Sequence, residues 1–289
     1  MGRGKGPRRE SRGKSGTDET SSAIASPVRG GSEPDTWNLH YELPGGNPVM
    51  RSELFFSQAT LALSGTEAGV PRGATRPYLV HQLVADAFGQ YRRRPFLYRA
   101  EERDLPAQDV LLLSSRRPLP EEQHPERSFG RLHSIRTKPY SLDLPEGTQL
   151  DYEIRLNATK DVPRDGKRSR RTDVWEAVWQ DEPATGLSPE QVYGAYLQRK
   201  LTGTADVLSA AVTERGFIRA RKGLKAPTIG FVAANLIGSL RVLDPAGLQE
   251  LIERGIGRSK AFGCGLLCLS RPGLVLPRRY PREATRSRT

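Results

Sequence analysis

Two side chains capable of proton transfer stand three residues apart in residues 77–88, PYLVHQLVADAF: Tyr78 and His81. At about 100° per residue, Leu79, Val80, Leu83, Val84, Ala87 and Phe88 form one stripe of a helix, with His81 at its edge and Tyr78 nearly opposite its centre. Pro77 suits the first helical position and Gly89 the position past the last. Residues three apart are helix neighbours, so this helix is expected to offer a phenol and an imidazole on its uncovered side. Imidazole takes or gives a proton near neutral pH, and a phenol positions a hydroxyl or donates to a phosphate. Cleavage of RNA by its own 2′-hydroxyl uses such groups and no metal. On spacing alone, a plain surface histidine is the commoner meaning of this position. His40, His124 and His133 lie in a tail-like or Pro-rich context, and no Ser/His/Asp or Cys/His set stands out.

A second segment, 255–267, reads GIGRSKAFGCGLL and holds Gly255, Gly257, Gly263 and Gly265 with Arg258 and Lys260. It is neither a Walker A motif nor G-x-G-x-x-G, and it follows a helix and precedes a strand, the reverse of the nucleotide-binding order. Two readings stay open: a bare backbone that approaches phosphates beside Arg258 and Lys260, or a tight connection that needs glycine for positive φ.

Charge favours a polyanionic partner. The chain of 289 residues carries a formal net charge of +12 with pI near 10.0, and each phosphate contact releases a counterion. Residues 1–49 contribute +1 and 273–289 contribute +4, which leaves +7 on 50–272. Residues 215–225, RGFIRARKGLK, hold Arg215, Arg219, Arg221, Lys222 and Lys225 and no acid. Around Gly223 they are expected to form a basic β-hairpin suited to the deep groove of A-form RNA. Residues 160–171 hold six cations and two acids and read as a loop, with Lys160 at the end of the preceding strand. Trp175 and Trp179, four apart, share a helix face as core or protein interface.

The cysteines, Cys264 and Cys268, are too few for a disulfide framework and lack nearby His ligands, so no metal site is expected. No apolar run approaches about 20 residues and no secretory signal opens the chain, so a cytoplasmic protein is expected.

The positioning elements follow from periodicity. Residues 1–49 read as a disordered tail rich in Gly, Ser, Pro and Arg. Strands are expected at 53–63, 96–101 and 109–115 around the Tyr-His helix. Residues 116–149 are Pro-rich and unassigned. A second module opens with strand 150–158, then a helix at 188–201 capped by Ser188 with Pro189 at its first position. β-prone runs at 207–219 and 226–242 follow, then a helix from Asp244 or Pro245 to about Glu253 and a strand at 265–270. The fold class is α+β, with two tandem ferredoxin-like βαββαβ domains, 50–145 and 146–272, flanked by the tail and a basic end at 273–289.

The segment GIGRSKAFGCGLLCLS resembles the closing motif of the CasE family, the CRISPR RNA-processing endoribonucleases of type I-E systems. PYLVHQ resembles that family's N-terminal helix, YEIRLNATK the strand opening the second module, and YLQRKL its helix; together these cover roughly 50–272 in order. The strand motif departs from the family's usual R-x-N-P, since Ala158 follows Asn157. The resemblance implies a repeat-RNA stem-loop as substrate, metal-independent cleavage that leaves a 2′,3′-cyclic phosphate, and no cofactor. It implies catalytic roles for Tyr78 and His81, and stem contacts from the 215–225 hairpin, with Arg155, Lys160, Arg258 and Lys260 as further RNA contacts. It also implies retention of the product hairpin within the Cascade complex, beside its other subunits. The competing readings are a non-catalytic RNA-binding subunit of the same fold and, more distantly, a basic ribosomal or RNA-chaperone protein.

Overall fold

A computed structural model of the chain describes residues 53–273, apart from 64–69, 71, 101–106, 165–166 and 182–185. The expected disordered tail at 1–49, His40 within it, and the basic end at 274–289 lie outside the described residues. Those described fall within the unit Met50–Thr289.

The first sheet contains β1 (Leu54–Leu63), β2 (Phe96–Ala100), β3 (Ala107–Ser114) and β4 (Gly130–Tyr140), in the order β2-β3-β1-β4 with every pair antiparallel. Helix α1 (Arg76–Asp86) covers one face. Its predicted stripe is the buried one: Leu79, Val80, Leu83, Val84, Ala87 and Phe88 pack against Ala59, Leu61, Phe96, Tyr98 and Leu132. The helix starts one residue earlier than predicted, with Pro77 in its first turn.

β4 lies inside the Pro-rich stretch that periodicity leaves unassigned. Its register against β1 shifts between Gln58 and Thr60, where Ser134 and Ile135 oppose Ala59 and Ser134 takes φ 54°. The bulge sets the inward-facing Leu132 and Ile135 three residues apart, which hides the strand's period of two. Pro139 is tolerated because β4 is an edge.

The second sheet repeats the same order. Strands β5 (Gln149–Leu156), β8 (Ala205–Ala220), β9 (Ile229–Val242) and β10 (Leu267–Ser270) run β10-β5-β9-β8, all antiparallel. Helices α3 (Pro189–Leu201) and α4 (Pro245–Arg254) occupy the two crossovers. Ser188 and Gln191 close a capping box at the start of α3. Both halves thus show the βαββαβ order of a ferredoxin-like fold, the second crossover of the first half reduced to one 3₁₀ turn at Glu121–Gln123.

Residues 160–164 and 167–171 are strands, not a loop, which corrects the expectation from their charge. They belong to a separate two-stranded hairpin, β6 (Thr159–Arg164) and β7 (Lys167–Asp173), in which Arg164 pairs with Lys167. The Asp165-Gly166 pair is the hairpin signal that the run of cations obscures. Helix α2 (Val174–Asp181) follows, with Trp175 and Trp179 in edge-on contact, the first packed on the core and the second exposed.

Asp173 ties these elements together. Its carboxylate, 6% exposed, accepts hydrogen bonds from the Trp175 and Glu176 amides, from the Tyr193 hydroxyl at 2.9 Å and from the Arg215 guanidinium at 3.1 Å. Arg215 also donates to the Tyr193 oxygen and to Glu176. Burial and the adjacent carboxylate raise the Tyr193 pKa, so its hydroxyl keeps its proton and donates it. Removing one partner of a buried ion pair strands the others. Asp173→Ala is expected to cost about 3 kcal/mol in urea unfolding; a loss below about 1 kcal/mol would show that the carboxylate does not hold α2, α3 and β8 together.

Candidate active site

The β8–β9 hairpin reaches across to the segment that precedes α1. The Thr75 amide donates to the Arg221 carbonyl at 3.0 Å, and the Arg221 amide donates to the Thr75 hydroxyl at 2.8 Å. The Arg221 Nε donates to the Gly73 carbonyl at 2.9 Å, and the Leu224 amide to the Arg72 carbonyl at 3.0 Å. The expected basic hairpin therefore exists, and its turn is fastened beside the start of the Tyr-His helix.

The glycine-rich segment arrives from the other direction. The Gly265 amide donates to Arg155 of β5, the Ile256 amide to Gly265, and the Tyr98 hydroxyl to the Ala261 carbonyl at 2.9 Å. Gly255, Gly257, Gly263 and Gly265 all have φ between 72° and 90°. At Gly265 a Cβ would lie 2.6 Å from the Ile256 carbonyl oxygen, and at Gly255 2.8 Å from Leu97. Backbone geometry and close packing thus require glycine at these positions, whatever else the loop does. Cys264 and Cys268 are both buried, the first in this loop and the second in β10.

His81 lies between β2 and this loop. Its half-buried ring lies 6.3 Å from Phe96 of β2 and 6.2 Å from Phe262 of the glycine loop. Burial first, and then the charge of Arg94, hold the imidazole below its usual pKa. The Nδ1 atom is buried without a hydrogen-bond partner. Tyr78, half-buried, packs at the margin of the α1 core. Neither ring is as open as a helix wheel predicts, because the wheel does not show the second sheet's loop closing over α1.

A cleft of about 360 Å³ adjoins this place, lined by Arg76, Arg155, Glu214, Phe217, Arg219 and Phe262 among others. Arg155 is buried at its wall and Arg219 is exposed. The Arg219 guanidinium stands 5.7 Å from the Phe217 ring, which is 62% exposed and lies over Gly230. Lys222 and Lys225 are exposed in the hairpin turn. Lys260 donates to the Arg254 carbonyl, and burial, then Arg94 and Arg254, lower its pKa. Arg258 is near enough to Tyr196 to act on its hydroxyl electrostatically. Lys160 lies exposed on β6. Arg215 departs from the group, since the Asp173 network holds it part-way along β8. Sequence reasoning missed Arg94 and Phe217. Arg94 stands 5.9 Å over Phe96, and burial lowers its pKa while Tyr98 and Tyr91 raise it. The run YRRRPF at 91–96 was its only signal.

Residues 54–271 match the family described as CRISPR associated protein. The chain is 30% identical over 181 residues to the CRISPR system Cascade subunit CasE of Escherichia coli K12, covering 61% of this chain and 82% of that one. It belongs to the CasE family. Two solved structures share its fold at TM-score 0.54: the CRISPR-associated protein Cas6e of Escherichia coli K-12, at 24% identity, and Thermus thermophilus Cse3 bound to an RNA representing a pre-cleavage complex, at 22%. Each match covers 75% of this chain and 99% of the other. Among the described residues, no helix of this CasE-family chain is long and apolar enough to cross a membrane.

The surroundings of His81 set its titration. In the folded protein its imidazole is expected to titrate below about 6.5, the ordinary histidine value. The unfolded ring then takes its proton first as pH falls. Stability from the buried neutral ring is therefore full above about 6.5 and is lost as pH drops through the folded value. Following the His81 ring protons by NMR checks this, with Arg94→Gln expected to move the midpoint upward. A native midpoint at or above about 6.5 would contradict the shift.

Proposed function

We propose that this chain is an endoribonuclease that binds the stem-loop of CRISPR repeat RNA, cuts the precursor transcript once per repeat, and stays on the product hairpin as a Cascade subunit. The observation that carries the reading is the place of His81: between Phe96 and the glycine-loop Phe262, beside a cleft with Arg76, Arg155 and Arg219 on its wall. Family membership supports the same substrate and assembly. We read 50–145 and 146–272 as its two domains.

In the proposed reaction the substrate's 2′-oxygen forms a bond to phosphorus and the bond from phosphorus to the 5′-oxygen breaks, leaving a 2′,3′-cyclic phosphate. The hydroxyl proton must leave and the departing oxygen must gain one. With its pKa lowered, His81 rests as the neutral ring, the form able to accept the hydroxyl proton. Tyr78, one helical turn earlier, positions the hydroxyl or donates to the phosphate. Lys260 and Arg94 supply positive charge beside the site. The exposed Arg219, Lys222 and Lys225 hold stem phosphates, with Lys160 and Arg258 as outlying contacts. No step calls for a metal ion.

One observation favours a non-catalytic RNA-binding subunit instead. His81 Nδ1 has no hydrogen-bond partner to orient the ring, and an imidazole between two phenyl rings also serves as packing. Incubation of repeat RNA with His81→Ala in EDTA decides. The variant is expected to bind the hairpin within about twofold of the parent and to lose at least about 10²-fold in cleavage rate, while the parent cuts normally in EDTA and leaves cyclic-phosphate ends. Normal cutting by the variant, or a strict metal requirement, would overturn the mechanism. For the stem contact, Arg219→Glu with Lys222→Glu is the suitable pair, because Arg221 also fastens the hairpin to Gly73. Hairpin affinity is expected to fall and the slope of log K against log salt to flatten by roughly 2; an unchanged slope would remove this hairpin from the interface.

A further inference from the structure

The two rings beside His81 border different depressions. Phe262 borders the basic cleft already assigned to the stem. Phe96 borders a second groove of about 480 Å³, whose walls include Arg93, Arg94, Ser115, Glu253 and Arg254. His81 stands between these two rings, 6.2 Å from Phe262 and 6.3 Å from Phe96.

This groove has the chemistry of a phosphate track. Three guanidiniums face one carboxylate, Glu253. Arg93 and Arg254 are exposed, whereas Arg94 is half-buried and lies 5.9 Å over Phe96. Arg94 acts electrostatically on both His81 and Lys260, and the Arg254 carbonyl anchors the Lys260 ammonium. Positive charge therefore extends from beside His81 to the groove wall through Arg94. A chain of phosphates is the ligand class that uses such extended charge, and its charge rewards each guanidinium in turn.

We propose that this groove binds the single-stranded RNA on the 3′ side of the cut, the strand that ends in the departing 5′-hydroxyl after cleavage. This rests on the endoribonuclease reading: with the stem held at the Phe262 cleft, the strand that passes His81 runs on toward Arg94 on the groove wall. The groove would hold the scissile nucleotide from its far side, so that the backbone is fixed on both sides of the reacting phosphate.

The test uses the full chain and repeat hairpins carrying a 2′-deoxy nucleotide at the mapped cut, so that they bind without reacting. Three RNAs are compared: one ending a single nucleotide past the cut, one with six further nucleotides on the 3′ side, and one with six added on the 5′ side. The 3′ extension is expected to tighten binding about tenfold at 0.1 M salt and to steepen the salt slope by about 1.4, for two phosphates of single strand. Arg93→Ala with Arg254→Ala is expected to abolish that gain while binding the short hairpin as the parent does. Each single substitution is expected to lose part of the gain, and an unchanged melting temperature shows the fold is kept. No gain from the 3′ extension, the same gain in the double variant, or a gain from the 5′ extension alone would overturn the groove assignment. If the short hairpin itself is not bound, the endoribonuclease reading falls first, and that outcome is distinct from the others.

Discussion

The candidate site depends on one joint between the two halves of the fold, the fastening of the β8–β9 hairpin to the segment before α1. Backbone amides and carbonyls at Arg72, Thr75, Arg221 and Leu224 carry most of it, and the Arg221 side chain adds a bond to Gly73. A long hairpin of 16 and 14 residues per strand would otherwise project from its sheet. Held at its tip, it brings Phe217, Arg219 and Lys222 beside the helix that carries Tyr78 and His81. Without the joint, a basic hairpin and a Tyr-His helix would remain separate features of two sheets.

The hairpin is also held part-way along β8. The buried Asp173 carboxylate gathers the start of α2, the Tyr193 hydroxyl of α3 and Arg215 of β8 into one cluster. Between Arg215 and Arg221, Gly216, Phe217 and Arg219 are exposed while Ile218 and Ala220 are buried. The glycine loop is fixed by a similar logic, through Arg155 on one side and Tyr98 on the other. Fixed donors and charges around a partly desolvated imidazole need little rearrangement when charge develops.

What the sequence discloses and hides has physical causes. The α1 stripe, the Ser188 cap and the α4 start are local, and residues 77–88, 188–201 and 245–253 reveal them directly. β4 is hidden because its bulge at Ser134 breaks the period of two within a Pro-rich stretch. The β6–β7 hairpin is hidden because its faces carry charge instead of alternating apolar residues, and only Asp165-Gly166 marks its turn. Tyr78 and His81 are legible as a pair, but the half-burial of His81 is not, since Phe262 lies 181 positions away in the chain. Arg215 looks like its neighbours in composition yet pairs with the buried Asp173, because only the fold brings that carboxylate to it. Arg94 looks like one of three ordinary arginines, and its proximity to His81 and Lys260 appears only when β2 and the glycine loop meet.

The joint at Thr75 has a consequence for how such a protein can change. Its bonds use main-chain atoms together with the Thr75 hydroxyl and the Arg221 guanidinium, and none of them uses the side chain of Lys222 or Lys225. The tip can exchange its cations, or gain and lose one, and still land at the same address beside α1. Under the proposed function, substrate preference and catalytic alignment would sit on separable parts of one loop: the side chains would be free to follow a drifting RNA partner, while the backbone would hold the hairpin beside the His81 helix.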